Sequence, residues 1–142
     1  MIAYFDTSAL IKLVIDEEGS ERAALVWDAT DRPVSVALIT VEGRAALASA
    51  HRSRRLTNAG YRRARDEYLA LLTGVATVKV TAELIDHAGE LAEREGLRGY
   101  DAVHLAAALR VSADVLCSSD AAMCSAASHL GLAVANPVAG AH

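Results

Sequence analysis

The chain is poor in aromatic residues, in cysteine and in long apolar runs. Aromatics make up only 4% of the 142 residues while hydrophobic residues make up 53%, so a core must be built mostly from Ala, Val and Leu. Small side chains of this kind let helices approach a sheet closely. The two cysteines, Cys117 and Cys124, have neither a second pair nor a histidine at zinc-ligand spacing, which excludes a disulfide-stapled scaffold and a structural zinc site. Both read as small buried thiols. No apolar stretch approaches the roughly 20 residues of a membrane-spanning helix. Met1 to Phe5 runs directly into Asp6, leaving no place for a basic segment and an apolar signal core, so the expected compartment is the cytoplasm. A net charge of −4 argues against a uniformly basic nucleic-acid-binding surface. Positive charge is nevertheless concentrated, because Arg52, Arg54, Arg55, Arg62, Arg63 and Arg65 crowd one short stretch.

What is present alternates between strand and helix signals. Ile2 to Phe5 reads as a buried strand, with a helix from about Ala9 to Val14 after a polar turn. Ser20 is placed to cap the next helix, and Arg32-Pro33 to end it before a strand from Val34 to Leu38. Thr40 is the expected cap of a helix carrying Glu42. From about 41 to 72 the pattern stays helical, with an interruption near Thr57-Asn58, which predicts a projecting helical hairpin with the arginines at its tip. Val75 to Val80 is the third strand, Thr81 caps a helix to Glu95 that Gly96 ends, and Gly99-Tyr100-Asp101 opens another. A strand from Val115 to Ser118, a helix from Asp120 to Leu130 and a short strand near Val134 close the chain. Continuous apolar strands alternating with helices predict an α/β fold with a parallel sheet covered on both faces. No linker or repeat divides residues 1–142, so one domain is expected.

Asp6, Glu42, Asp101 and Asp120 fall where a strand has just ended or a helix is beginning. In an open α/β sheet the crevice outside the carboxyl ends of the strands gathers residues from distant segments. Converging carboxylates repel: at about 4 Å and an effective dielectric of about 20, each pair costs on the order of 4 kcal/mol, which a divalent cation reverses. Oxygen donors alone suit magnesium or manganese, whereas zinc favours nitrogen and sulfur. Such an ion activates water and stabilises a departing oxygen, so metal-dependent phosphodiester hydrolysis is the expected reaction class. Each acid taken singly is also explained as a helix cap or dipole partner. Asp16, Glu17 and Glu18 in a loop, and Glu90, Glu93 and Glu95 on one helix, read as solvated.

These residues resemble a known family. The run Asp6-Thr7-Ser8-Ala9-Leu10-Ile11-Lys12-Leu13, Glu42 at a helix head, Tyr100-Asp101-Ala102-Val103-His104-Leu105-Ala106-Ala107-Ala108 and Ser118-Ser119-Asp120 look like the signature blocks of PIN-domain ribonucleases. More narrowly they resemble VapC-type toxins of type II toxin-antitoxin pairs. The likeness extends to the closing Gly131 to Pro137; Met123 departs from the Leu often found there, which touches packing only. The resemblance implies a three-layer α/β/α sandwich on a five-stranded parallel sheet. It also implies a magnesium- or manganese-dependent endoribonuclease acting on structured RNA, of the transfer or ribosomal class, and silenced by a small antitoxin. Asp6, Glu42, Asp101 and Asp120 would be its metal ligands and catalytic set, supported by the hydroxyls of Ser118 and Ser8.

Other residues carry weaker signals. His104 lies three residues after Asp101 on an apolar helix and is expected as a core or supporting residue, outside the ligand set. Arg44, Arg52, Arg54, Arg55, Arg62 and Arg63 are candidates for RNA or antitoxin contact, with a solvated helix face as the plain alternative. Trp27 reads as packing. Apolar residues at Ile11, Leu13, Val14, Leu25 and Val26 exceed what a small sheet can cover, which predicts a homodimer or a bound antitoxin helix. The rival from another class is a receiver-like or non-catalytic metal-binding module. Against it, neither lysine, Lys12 or Lys79, follows the fourth or fifth strand. An Asp-nucleophile phosphatase would want a second Asp where Ser8 stands.

Overall fold

A computed structural model describes residues 1–139; residues 140–142 of the expected domain span lie outside the described residues. The chain order is β1 (Ile2–Phe5), α1 (Thr7–Ile11), α2 (Ser20–Asp28), β2 (Arg32–Val36), α3 (Ile39–Arg52), α4 (Asn58–Leu72), β3 (Ala76–Val78), α5 (Ala82–Glu95), α6 (Gly99–Arg110), β4 (Val115–Cys117), α7 (Ala121–His129) and β5 (Ala133–Ala135). All strand pairs are parallel, in the order β3-β2-β1-β4-β5. This is the expected α/β/α arrangement with β1 at its centre.

Side-chain alternation along β1 divides the core. Tyr4 points into a cluster with Leu84 and Leu91 of α5, the alanines of α6, and Met123 of α7. Ala3 and Phe5 point the other way, to Leu10, Leu47, Ala64 and Tyr68 of α1, α3 and α4. Trp27 packs on Phe5 with ring centroids 5.4 Å apart, as its setting predicts. Ile11 is buried and Leu13, Val14 and Val26 are partly covered by the same cluster, so of the apolar surplus expected there only Leu25 stays exposed, at 69%. Cys117 and Cys124 are free and buried, and burial pushes their thiols up to about 12 and about 11. Among the described residues no helix is long and apolar enough to cross a membrane.

Several element boundaries differ from the sequence expectation. β2 begins at Arg32 and includes Pro33. The Arg32 N–H donates toward β1, so the position of Pro33's missing N–H faces β3, whose pairing starts only at Val34. Helix α1 stops at Ile11, short of Val14. Ser20 is not a cap: its hydroxyl accepts from the Glu17 N–H and donates to the Ile15 carbonyl, while Gly19 takes the cap position at φ 89°. Thr40 lies inside α3, which starts at Ile39 with Leu38 in the cap position and no side-chain cap bond, because the chain turns directly off β2 where the Ala37 N–H bonds Val78. Thr81 and Gly96 do cap and end α5. Helices α3 and α4 pack through Gly43, where an added Cβ would lie 2.1 Å from the Tyr68 ring. The Tyr68 hydroxyl donates to the Ile39 carbonyl at 2.7 Å and locks that approach.

Candidate active site

From β1 the connections run to β2 on one side, while β4 leads to β5 on the other, so a crevice opens at the carboxyl ends of β1 and β4. Asp6 is the first residue after β1, its N–H bonded to Cys117 of β4 at 3.2 Å. It caps α1 through Oδ1, which accepts from the Ala9 N–H at 3.0 Å and the Ser8 hydroxyl at 2.6 Å. Its Oδ2 accepts from the Ser118 hydroxyl at 2.6 Å. Ser118 in turn accepts from the Asp120 N–H at 3.0 Å, joining the ends of the two strands. Asp120 caps α7 with Oδ1, bonded to the Met123 N–H, and turns Oδ2 to the Arg98 guanidinium at 3.2 Å. Arg98 also donates to Asp101 Oδ2 at 3.0 Å. The cap reading and the site reading thus coexist, since a cap uses one carboxylate oxygen and leaves the other.

Glu42 enters from the first turn of α3. Its Oε1 accepts from the Thr7 hydroxyl at 3.0 Å and from His104 Nε2 at 2.7 Å. A carboxylate accepts only, so Nε2 carries a proton; in the neutral ring Nδ1 then accepts from the Tyr4 hydroxyl, 2.8 Å away. His104 is 2% exposed, and the Tyr4–His104–Glu42 chain carries core packing out to the site.

Burial dominates the electrostatics of Asp6 and raises its pKa above the ordinary value, against the opposing pull of the His104 charge and the Ser118, Ser8 and Ala9 hydrogen bonds. At Glu42 burial also pushes upward, but the His104 hydrogen bond and charge and the Thr7 hydroxyl outweigh it, and the pKa is lowered.

All four expected acids therefore reach one edge of the sheet and are tied to it by Ser118, Ser8, Thr7, His104 and Arg98. They are not closed into a cage. Among the described residues no three His, Cys, Asp or Glu side chains stand close enough to hold an ion, with hydroxyls and the Arg98 guanidinium set between the carboxylates. The donor set nevertheless fits a hard cation in kind, being carboxylate oxygens throughout, with the buried Asp6 lacking a Lys or Arg partner among the described residues. Ser8 also accepts from the Ser119 N–H, a second tie between the two strand ends.

The arginines divide. Arg55 lines a cleft of about 360 Å³ with Thr7, Ser8, Lys12 and Glu42, so it shares a surface with the acids. Arg44 lines a different cleft, with Val41 and Tyr61. Arg52, Arg54, Arg62 and Arg63 are exposed around the α3–α4 turn. There Tyr61 stacks on His51 at 4.7 Å, with the Arg65 guanidinium 5.7 Å from its ring. Sequence reasoning missed Arg98, Thr7 and Tyr4. Arg98, three residues before Asp101 at a helix start, was the most readable of them.

A model of the PIN domain matches residues 3–128. Ribonuclease VapC49 of Mycobacterium tuberculosis is 43% identical over 110 residues, spanning 78% of this chain and 76% of its own. Among solved structures, VapC20 of Mycobacterium tuberculosis, described as a sarcin-ricin loop cleaving toxin, superposes with a TM-score of 0.68 at 20% identity, covering 87% of this chain and 94% of its own. A toxin-antitoxin complex from Klebsiella pneumoniae superposes at 0.67 and 16% identity, covering 95% and 97%. At these identities the two structures speak for the fold.

Proposed function

We infer that this chain, which belongs to the PIN domain family, is a VapC-type ribonuclease toxin that hydrolyses RNA phosphodiesters at the edge formed by Asp6, Glu42, Asp101 and Asp120. The observation that carries the reading is the continuous hydrogen-bond chain from Asp6 through Ser118, Asp120 and Arg98 to Asp101, which links three separate segments of the chain. Magnesium or manganese is the cofactor we assign to these carboxylates; when bound it supplies the positive charge that activates water and steadies the leaving oxygen.

The chain's own residues do the rest. Ser118 and Ser8 each donate to Asp6 and so fix both of its oxygens. Thr7 and His104 take Oε1 of Glu42, which leaves Oε2 without a protein donor among the described residues. Orientation of this kind spares reorganisation during the reaction. Arg55 lines the same cleft as Glu42, which supports it as the residue proposed to meet a phosphate of the approaching strand.

Structured RNA, ribosomal or transfer, is the proposed substrate; the description of VapC20 supports the ribosomal class. A small antitoxin is the proposed protein partner, supported by the fold shared with the Klebsiella pneumoniae complex. A homodimer is proposed on the apolar face where Tyr100, Ile85 and Val80 stay exposed. The cytoplasm, where such RNA resides, is the proposed location. A receiver-like module gains no comparable support.

The test is incubation of the purified chain with total cellular RNA, with and without magnesium or manganese, followed by mapping of new 5′ ends. Discrete new ends that require the ion and vanish in Asp6→Asn are expected. An active Asp6→Asn protein, or no cleavage with either ion, would refute the proposal.

A further inference from the structure

Arg98 is the side chain at the site that the hydrolytic reading leaves without a task. It stands directly before α6 in extended backbone, φ −64° and ψ 152°, so its side chain turns back over the helix start. Nε donates to Asp101 Oδ2 at 3.0 Å and a terminal nitrogen donates to Asp120 Oδ2 at 3.2 Å. Its side chain is 81% exposed, whereas those of Asp101 and Asp120 are 17% and 26% exposed. The guanidinium therefore lies across two carboxylates at the solvent rim of the crevice.

The identity of the oxygens matters. Asp120 Oδ1 is committed to the Met123 N–H as the cap of α7, and the oxygen that remains is the one Arg98 holds. Arg98 thus supplies the charge that a divalent ion would supply to this pair. Ion pairs this exposed are weak and exchangeable. A planar guanidinium that fits two carboxylate oxygens fits two phosphate oxygens equally well. A chain with a net charge of −4 needs local positive charge wherever a polyanion approaches its acids.

We propose that Arg98 has two successive partners: it holds Asp101 and Asp120 in the metal-free protein, and once a divalent cation takes over that charge it grips a phosphate of the RNA strand. The proposal rests on the metal-dependent reading above. It differs in sign from a merely structural salt bridge. A structural bridge that holds the acids in place makes metal binding weaker when it is removed, whereas a competing charge makes it tighter.

The experiment titrates Mn²⁺ into the full-length wild type, Arg98→Ala and Arg98→Lys, reading free Mn²⁺ by electron paramagnetic resonance. Steady-state cleavage of a short RNA bearing a mapped site follows. Arg98→Ala is expected to bind Mn²⁺ about three- to tenfold more tightly, the effect of losing an exposed competitor. Its kcat/KM for RNA is expected to fall by about 10- to 100-fold, mostly through KM, the effect of losing a charged hydrogen bond to phosphate. Arg98→Lys keeps metal affinity near that of the wild type but recovers only part of the RNA effect. An unchanged or weaker Mn²⁺ affinity in Arg98→Ala, with the wild type binding normally, overturns the role of Arg98 alone, as does an unchanged kcat/KM. A wild type that binds no Mn²⁺ overturns the metal reading and this proposal together. Melting in EDTA checks that the variants fold, which the exposure of Arg98 predicts.

Discussion

Replacing Tyr4 by Phe removes one oxygen from the centre of the sheet and leaves the ring in place. In the neutral His104 ring the hydroxyl is the donor to Nδ1, at 2.8 Å in a fully buried setting, because Nε2 spends the single ring proton on Glu42. Without it, Nδ1 is a buried acceptor with no partner, which costs about 1–3 kcal/mol. His104→Ala costs more, about 3–5 kcal/mol, since it empties a buried ring volume and also takes the Nδ1 acceptor from the Tyr4 hydroxyl. In the double variant neither group is stranded by the other, so Tyr4→Phe becomes nearly neutral there, and the two changes couple by about 1–3 kcal/mol. Urea denaturation of the four proteins in EDTA measures this cycle. Cleavage kinetics add a second reading: Tyr4→Phe keeps the Nε2–Glu42 bond and most of kcat, while His104→Ala frees Glu42 and loses kcat. A Tyr4→Phe protein within about 0.5 kcal/mol of wild type, or a cycle without coupling, would refute the assigned tautomer and the chain of bonds built on it.

Asp6→Asn is expected to abolish cleavage and yet leave the metal-free protein as stable as wild type or more so, to within about 1 kcal/mol by urea denaturation, because relief of a buried charge offsets a weakened bond to Ser118. That gain has a sign in pH. Asp6 has its pKa raised on folding, so the native state binds more protons than the unfolded chain and gains stability as pH falls toward the ordinary value of 3.8; the advantage of Asp6→Asn over wild type should therefore shrink on acidification from pH 7. Glu42 behaves oppositely: its lowered pKa contributes stability above the unfolded value of 4.5 that is lost as pH falls through the native one, so acid denaturation should be shallower in Glu42→Gln, as denaturant midpoints at successive pH values will show. Gly43→Ala should destabilise by about 1–3 kcal/mol through overpacking, since its Cβ would overlap the Tyr68 ring; pairing it with Tyr68→Leu should return part of the loss in thermal melts.

Much of this was open to reading from the residues. Continuous apolar strands with no polar face, such as Ile2 to Phe5, require burial on both sides and so a parallel sheet between helix layers. Asp6 and Asp120 announced themselves by position, one directly after β1 and the other two serines beyond β4, each at a helix start, and the structure finds both as caps that keep an oxygen for the site. Local chemistry alone misplaced Ser20 and Thr40, good caps by residue type that the chain path assigned elsewhere. His104 was legible as a buried residue on the face of Asp101, but its bond to Glu42 spans 62 residues and depends on how α6 crosses the sheet edge.

Residue order by itself determined the alternation of strands and helices and which carboxylates stand at strand ends, because both follow from periodicities and caps that operate over a few residues. Only the tertiary structure decided which oxygens face one another. Strand order set β4 beside β1 and so brought Ser118 to Asp6, 112 residues away, and the same packing laid Arg98 across Asp101 and Asp120. Contacts at that separation are fixed by the sum of core packing on two faces of the sheet, which no local pattern contains.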